Sequence, residues 1–244
     1  MSTATGLIRR LVYIAGTVVG LLALIPIWGI ITFFLRDTSR AASAMNPYHR
    51  LIFPLLGIHV EKSWSEGYDP KRGAIFLANH QSWLDIPLVI GWVRPVAFLA
   101  KKELFRIPIL SFAMRRIRCI VVDRGNRGAN RDVGDKMVEN LAKGYSYCVF
   151  PEGTRSATGE LAPFRSGIFR ILAGQPIDVV PVTIDGAVRV FPKTSWGMYP
   201  GKIKVTVHDS IPAEEVAQME YDQLQKRVRQ TIASALPPSS AISQ

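Results

Sequence analysis

Apolar residues follow two different patterns along the chain. From Leu11 to Leu35 there are 25 consecutive residues without a charge, bracketed by Arg9-Arg10 and Arg36. A helix needs about 20 apolar residues to span a bilayer, so this run is long enough. A cleaved secretory signal is the rival reading, because Arg9-Arg10 resembles a basic leader and Ala42-Ser43-Ala44 a cleavage site. Its apolar core would be roughly 7–15 residues, which the run exceeds. Pro26 inside the run predicts a kink or a break. A shorter apolar stretch, Leu51-Ile52-Phe53-Pro54-Leu55-Leu56, lies within residues 38–60. A single span and a helical hairpin dipping into one leaflet therefore both fit residues 1–60. Lys and Arg flank both ends, so orientation is weakly specified.

Beyond about residue 72 the apolar runs shorten. Ala74-Ile75-Phe76-Leu77, Val96-Ala97-Phe98-Leu99, Cys119-Ile120-Val121-Val122, Tyr147-Cys148-Val149-Phe150 and Val179-Val180-Pro181-Val182 predict strands buried on both faces. Ile203-Lys204-Val205-Thr206-Val207 alternates and predicts a half-exposed edge strand. Helix-length segments near 84–93, 108–117, 130–143 and 165–173 separate them, with a polar helix near 213–234. Such alternation predicts an α/β domain with a mixed, mostly parallel sheet flanked by helices, occupying residues 61–235. Pro237-Pro238-Ser239-Ser240 opens a tail, 236–244, expected to fray.

Charge sharpens this picture only when it is located. The chain has 30 Lys+Arg against 19 Asp+Glu, a net charge of +11, with 48% hydrophobic residues. Residues 1–72 hold eight basic and four acidic side chains, and 73–93 hold only Asp85. Residues 94–131 hold ten basic side chains against Glu103 and Asp123, and 132–244 hold twelve of each sign. The apolar content excludes a disordered basic tail. A basic stretch is the footprint of a nucleic-acid binder, but no recognition-helix motif, zinc-finger spacing or RNA-binding consensus accompanies it. Anionic membrane lipids, a phosphorylated substrate or an acidic carrier would use the same field. Cys119 and Cys148 are the only cysteines, which excludes a disulfide-stapled scaffold and fits a reducing compartment.

Three segments carry candidate chemistry. Asn79-His80-Gln81-Ser82-Trp83-Leu84-Asp85 lies between the first of these strands and a helix. Five helical residues turn through about 500°, so His80 and Asp85 would not share a helix face. They can meet if His80 sits in the turn and Asp85, one turn into the helix, folds back. Asp85 would then hold one imidazole nitrogen and leave the other free to take a proton. Phe150-Pro151-Glu152-Gly153-Thr154-Arg155-Ser156 forms a tight loop whose backbone N–H groups can face an anion, with Arg155 offering a fork for phosphate. Lys101-Lys102-Glu103-Leu104-Phe105-Arg106-Ile107-Pro108 opens the basic stretch. No Gly-x-Ser-x-Gly or phosphate-binding Gly-Lys-Ser/Thr loop is present. His49, His59 and His208 lack metal-ligand spacing.

In this order, and with Val180-Pro181-Val182-Thr183-Ile184 as a fourth block, the segments resemble the glycerolipid acyltransferases of the lysophosphatidate acyltransferase type. The Val-Val-Asp-Arg run ending at Arg124 is similar to that family's strand before its variable loop. The chain departs from the family pattern at Ser111, where a glycine is expected, and at Arg165-Ser166, where a basic pair is common. The resemblance implies a catalytic His80 with Asp85 as partner. It further implies a phosphate site built from Lys101, Glu152, Gly153, Thr154 and Arg155, a Pro181 block lining the acyl end, and neither metal nor cofactor. The expected reaction moves a fatty acyl group from acyl-CoA or an acyl carrier protein to the sn-2 hydroxyl of 1-acyl-glycerol 3-phosphate, at a cytoplasmic membrane face with the catalytic domain toward the cytoplasm. Oxyanion donors are expected at the start of the helix after His80. Another lyso-acceptor, glycerol 3-phosphate, or a non-enzymatic lipid-binding role are the alternatives.

Overall fold

The computed structural model describes residues 38–65, 73–93, 96–123, 132–194 and 197–237, together with 15, 16 and 30. The apolar run 11–35, Arg124 and the tail from residue 238 lie essentially outside them. Among the described residues no helix is long and apolar enough to cross a membrane.

Seven strands form one sheet: β1 (Ile58–Trp64), β2 (Ala74–Ala78), β3 (Ala97–Lys101), β4 (Ile120–Val122), β5 (Tyr147–Val149), β6 (Asp178–Asp185) and β7 (Gly201–Val207). Their order is β1-β7-β6-β2-β5-β3-β4. Every neighbouring pair is parallel except β6 and β7. Successive side chains of a strand point to opposite faces, and β2 is buried along its whole length. Phe76 therefore joins one apolar layer with Val180, Val182 and Leu88, while Ile75 and Leu77 join the other with Tyr147, Met137 and Phe169. This double burial is why the central strands read as unbroken apolar runs.

Among the described residues from 38 onward the helices are α1 (Thr38–Leu55), α2 (Asp85–Leu88), α3 (Pro108–Arg116), α4 (Val133–Ala142), α5 (Ser166–Leu172), α6 (Ala187–Val190), α7 (Ala213–Val216) and α8 (Tyr221–Ser234). A π-helical turn, Val89–Val93, extends α2, and a 3₁₀ turn, Lys102–Arg106, precedes α3. The polar helix expected at 213–234 is broken into α7 and α8. Glu220 restarts it through a capping box with Gln223.

One expectation is corrected. Ile203–Val207 is not at the edge, because β7 lies between β6 and β1. Its alternation records one covered face, with Ile203, Val205 and Val207 inside and Lys202 and Lys204 outside. The edge on that side is β1, which begins at Ile58. Glu61, Lys62 and Ser63 are all exposed on it, leaving no apolar run to reveal it; polar side chains suit an edge that must not recruit another strand.

Candidate active site

β2 and β5 are hydrogen-bonded neighbours running the same way, with Leu77 level with Val149. Beyond these strand ends His80 stands beside Glu152. In open α/β sheets ligands bind beyond the carboxyl ends of the strands, which is where both candidate loops emerge.

His80 occupies the turn after β2, and Asp85 is the first residue of α2 rather than one turn into it. His80 Nδ1 and Asp85 Oδ2 are 2.6 Å apart. The carboxylate accepts, so Nδ1 carries the hydrogen and Nε2 presents a lone pair. The same Oδ2 accepts the Gln81 N–H at 2.6 Å and the Ser82 N–H at 2.8 Å. Three donors thus converge on one oxygen of a fully buried carboxylate. Of the N–H groups at this helix start, those of Gln81 and Ser82 are thereby bonded to Asp85.

The turn is fixed from below. Asn79 bridges to β6 by donating from Nδ2 to Ile184 O at 2.8 Å and accepting the Ile184 N–H at 2.7 Å. Gln81 Nε2 donates to Gly159 O, and Ser82 Oγ donates to Phe191 O. The Phe150 ring stacks on the imidazole with centroids 4.2 Å apart. The Val180–Ile184 block is the buried interior of β6, and it reaches His80 through Asn79.

Glu152 is buried and turned inward. Its Oε1 accepts the His80 backbone N–H at 2.7 Å and its Oε2 accepts the Ala162 N–H at 3.0 Å. In return the Ser156 N–H donates to His80 O at 2.8 Å. Both Glu152 oxygens are thereby committed to backbone, so the side chain clamps the two turns together. Burial pushes the Glu152 carboxyl up to about 7, against the downward pull of those two N–H bonds. The clamp continues into the C-terminal helix: Arg229 donates to Ala162 O at 2.7 Å and Leu161 O at 3.2 Å, and Gln225 donates to Phe164 O.

Gly153 has φ +71°, and a Cβ there would lie 2.7 Å from Arg165 Nε, so glycine both permits the turn and lets Arg165 lie across it. Thr154 is exposed and Arg155 half-buried. The Arg155 guanidinium lies 4.2 Å over the Trp83 ring, with its Nη1 buried and lacking a hydrogen-bond partner. Stacking on an aromatic face leaves the guanidinium edge available for a bidentate anion. Lys101 ends β3 on the same edge of the sheet, and its ammonium is 3.5 Å from Glu103. Among the described residues no group of three or more His, Cys, Asp or Glu side chains could hold a metal ion.

This arrangement accompanies a clear kinship. The family described as Acyltransferase matches residues 59–185, more than half of the chain and both turns. The chain belongs to the acyltransferase family. It is 34% identical over 170 residues to a 1-acyl-sn-glycerol-3-phosphate acyltransferase of Chlamydomonas reinhardtii, a match covering 69% of this chain and 50% of that protein. The chain thus spans about half the length of that curated relative. The Pseudomonas aeruginosa 1-acyl-sn-glycerol-3-phosphate acyltransferase is 26% identical over 227 residues, covering 89% of this chain and 88% of the other. The crystal structure of the LPA acyltransferase PlsC from Thermotoga maritima superposes with a TM-score of 0.79 at 28% identity, covering 93% and 94% of the two chains.

Some of these functional contacts had no sequence signal. Phe150 and Asn79 lie inside the motifs but looked like strand and turn residues. The Trp83 stack and the inward turn of Glu152 depend on how two loops 70 residues apart meet.

Proposed function

We propose that this chain is a membrane-bound acyltransferase that moves a fatty acyl group from an acyl thioester to the sn-2 hydroxyl of 1-acyl-glycerol 3-phosphate, giving phosphatidic acid. The observation that carries the reading is the His80 to Asp85 bond at 2.6 Å, on a strand exit adjoining the Arg155 loop. No nucleophilic side chain is required, because the acceptor supplies its own hydroxyl. That oxygen attacks the thioester carbonyl as His80 Nε2 takes its proton, and Asp85 offsets the charge of the imidazolium. The tetrahedral intermediate then collapses, expelling the thiolate, which recovers the proton from His80 and leaves as thiol. Arg155, backed by Trp83, holds the acceptor phosphate, with Lys101 contributing from β3. The names of the Chlamydomonas and Pseudomonas relatives support this acceptor.

The membrane part of the reading rests on the uncharged run 11–35, acting as anchor alone or as a hairpin with residues 38–60. The basic face beside the site supports it too. Ile107 and Phe112 are 44% and 41% exposed there, and Arg115 and Arg116 lie over the Phe105 and Phe112 rings. Apolar side chains among cations suit anionic headgroups at a cytoplasmic membrane face.

The test is a thioester-release assay on the full chain in mixed micelles. It should offer several lyso-acceptors and glycerol 3-phosphate, with acyl-CoA and acyl carrier protein in turn, and weigh the product. A product with the mass of phosphatidic acid formed only from 1-acyl-glycerol 3-phosphate is the expected result. Turnover confined to another acceptor, or none, overturns the reading.

A further inference from the structure

We propose that Lys193 is a cation of the acceptor-phosphate site, completing with Arg155 a two-sided clamp on the phosphate; this rests on the acyltransferase reading above. Lys193 lies beyond α6, 38 residues from Arg155 in sequence. Its ammonium nevertheless donates to the Arg155 backbone carbonyl at 3.0 Å and reaches the Thr154 hydroxyl at 3.5 Å. It is thus tethered to the loop whose guanidinium is stacked on Trp83.

Like the exposed Lys62, Lys204 and Lys226, Lys193 makes no ion pair among the described residues, and of these four it is the one held against the Arg155 loop. Lys101, Lys102, Lys136, Lys143 and Lys202 are each ion-paired with a carboxylate. Lys193 is bonded to two neutral oxygens instead, and no ion pair neutralises it among the described residues. The loop's own carboxylate cannot do so, since Glu152 is buried with both oxygens on backbone N–H groups. Arg155, likewise, has a buried nitrogen without a hydrogen-bond partner.

A phosphate monoester carries about −1.5 to −2 at neutral pH. One arginine leaves that charge half compensated, and Lys101 shares its ammonium with Glu103. An ammonium has three N–H donors; two of the Lys193 donors hold the loop, and the third is available to a phosphate oxygen beside Arg155. Lys193 therefore both fixes the loop and adds the missing charge.

Lys193→Met removes the charge and the loop contacts together and Lys193→Arg keeps both, so phosphate binding is told from loop support by which constant moves, with KM and kcat measured for 1-acyl-glycerol 3-phosphate and for the thioester. Losing one charge-assisted hydrogen bond predicts a rise in acceptor KM of about tenfold to a hundredfold in Lys193→Met. Thioester KM should stay within about twofold and Lys193→Arg should recover most of the loss. An unchanged acceptor KM, a fall in kcat alone, or a rise in thioester KM overturns the assignment. If the unsubstituted chain itself fails to acylate this acceptor, the functional reading falls instead.

Discussion

Asp85 and Glu152 are both buried carboxylates just beyond neighbouring parallel strands, one opening the helix after β2 and one in the turn after β5, yet they hold different things. Asp85 gathers the His80 imidazole and two backbone N–H groups onto one oxygen. Glu152 spreads two backbone N–H groups over its two oxygens. The contrast separates a carboxylate bonded to the His80 imidazole from one bonded to the His80 backbone. Charge matters directly in the first case and mainly through geometry in the second.

The sharpest break in this comparison comes from His80. His80→Ala removes the base, and kcat should fall by about 10²–10⁴ while the protein still floats with liposomes; near-normal turnover would remove the imidazole from the mechanism. Asp85→Asn keeps an oxygen for the three donors but deletes the charge facing the imidazolium. A loss of about a hundredfold in kcat is expected, with acceptor KM unchanged.

Arg155→Ala should act on binding instead, raising acceptor KM by about tenfold or more while thioester KM holds. Glu152→Gln should have the smallest effect on the rate, about tenfold, because an amide satisfies only one of the two N–H donors. Were it to equal Asp85→Asn in kcat, with stability intact, Glu152 would belong with the chemistry.

Glu152 also leaves a mark on stability against pH. Its carboxyl is raised from the ordinary 4.5 to about 7 by burial. Between these values the folded chain keeps a proton that the unfolded chain has released. Stability from this group is thus greatest below pH 4.5, and it declines as pH rises to about 7. The Tm difference between the parent chain and Glu152→Gln should shrink from pH 5 to pH 8, and a difference independent of pH would assign the effect to packing.

Much of the fold was legible because central strands of a helix-covered sheet are buried on both faces, and Ala74–Ala78 and Asp178–Asp185 read accordingly. β1 was not, because an edge strand needs only Ile58 fully inside. The His80 and Asp85 pairing was legible because turn geometry leaves one way for residues five apart to meet. The role of Glu152 was not, since beside Arg155 in sequence it looks like a ligand-facing group.

Local chemistry along the chain, then, settles which residues can act: a histidine and an aspartate within one turn, an arginine in a glycine loop, a long uncharged segment. Tertiary structure decides which way they point. The parallel pairing of β2 with β5 brings two distant loops to the same height, which turns Glu152 inward, lays Arg155 on Trp83, and brings Lys193 onto the loop from beyond β6. Such contacts join segments far apart in sequence, and only the register of the sheet sets their distances.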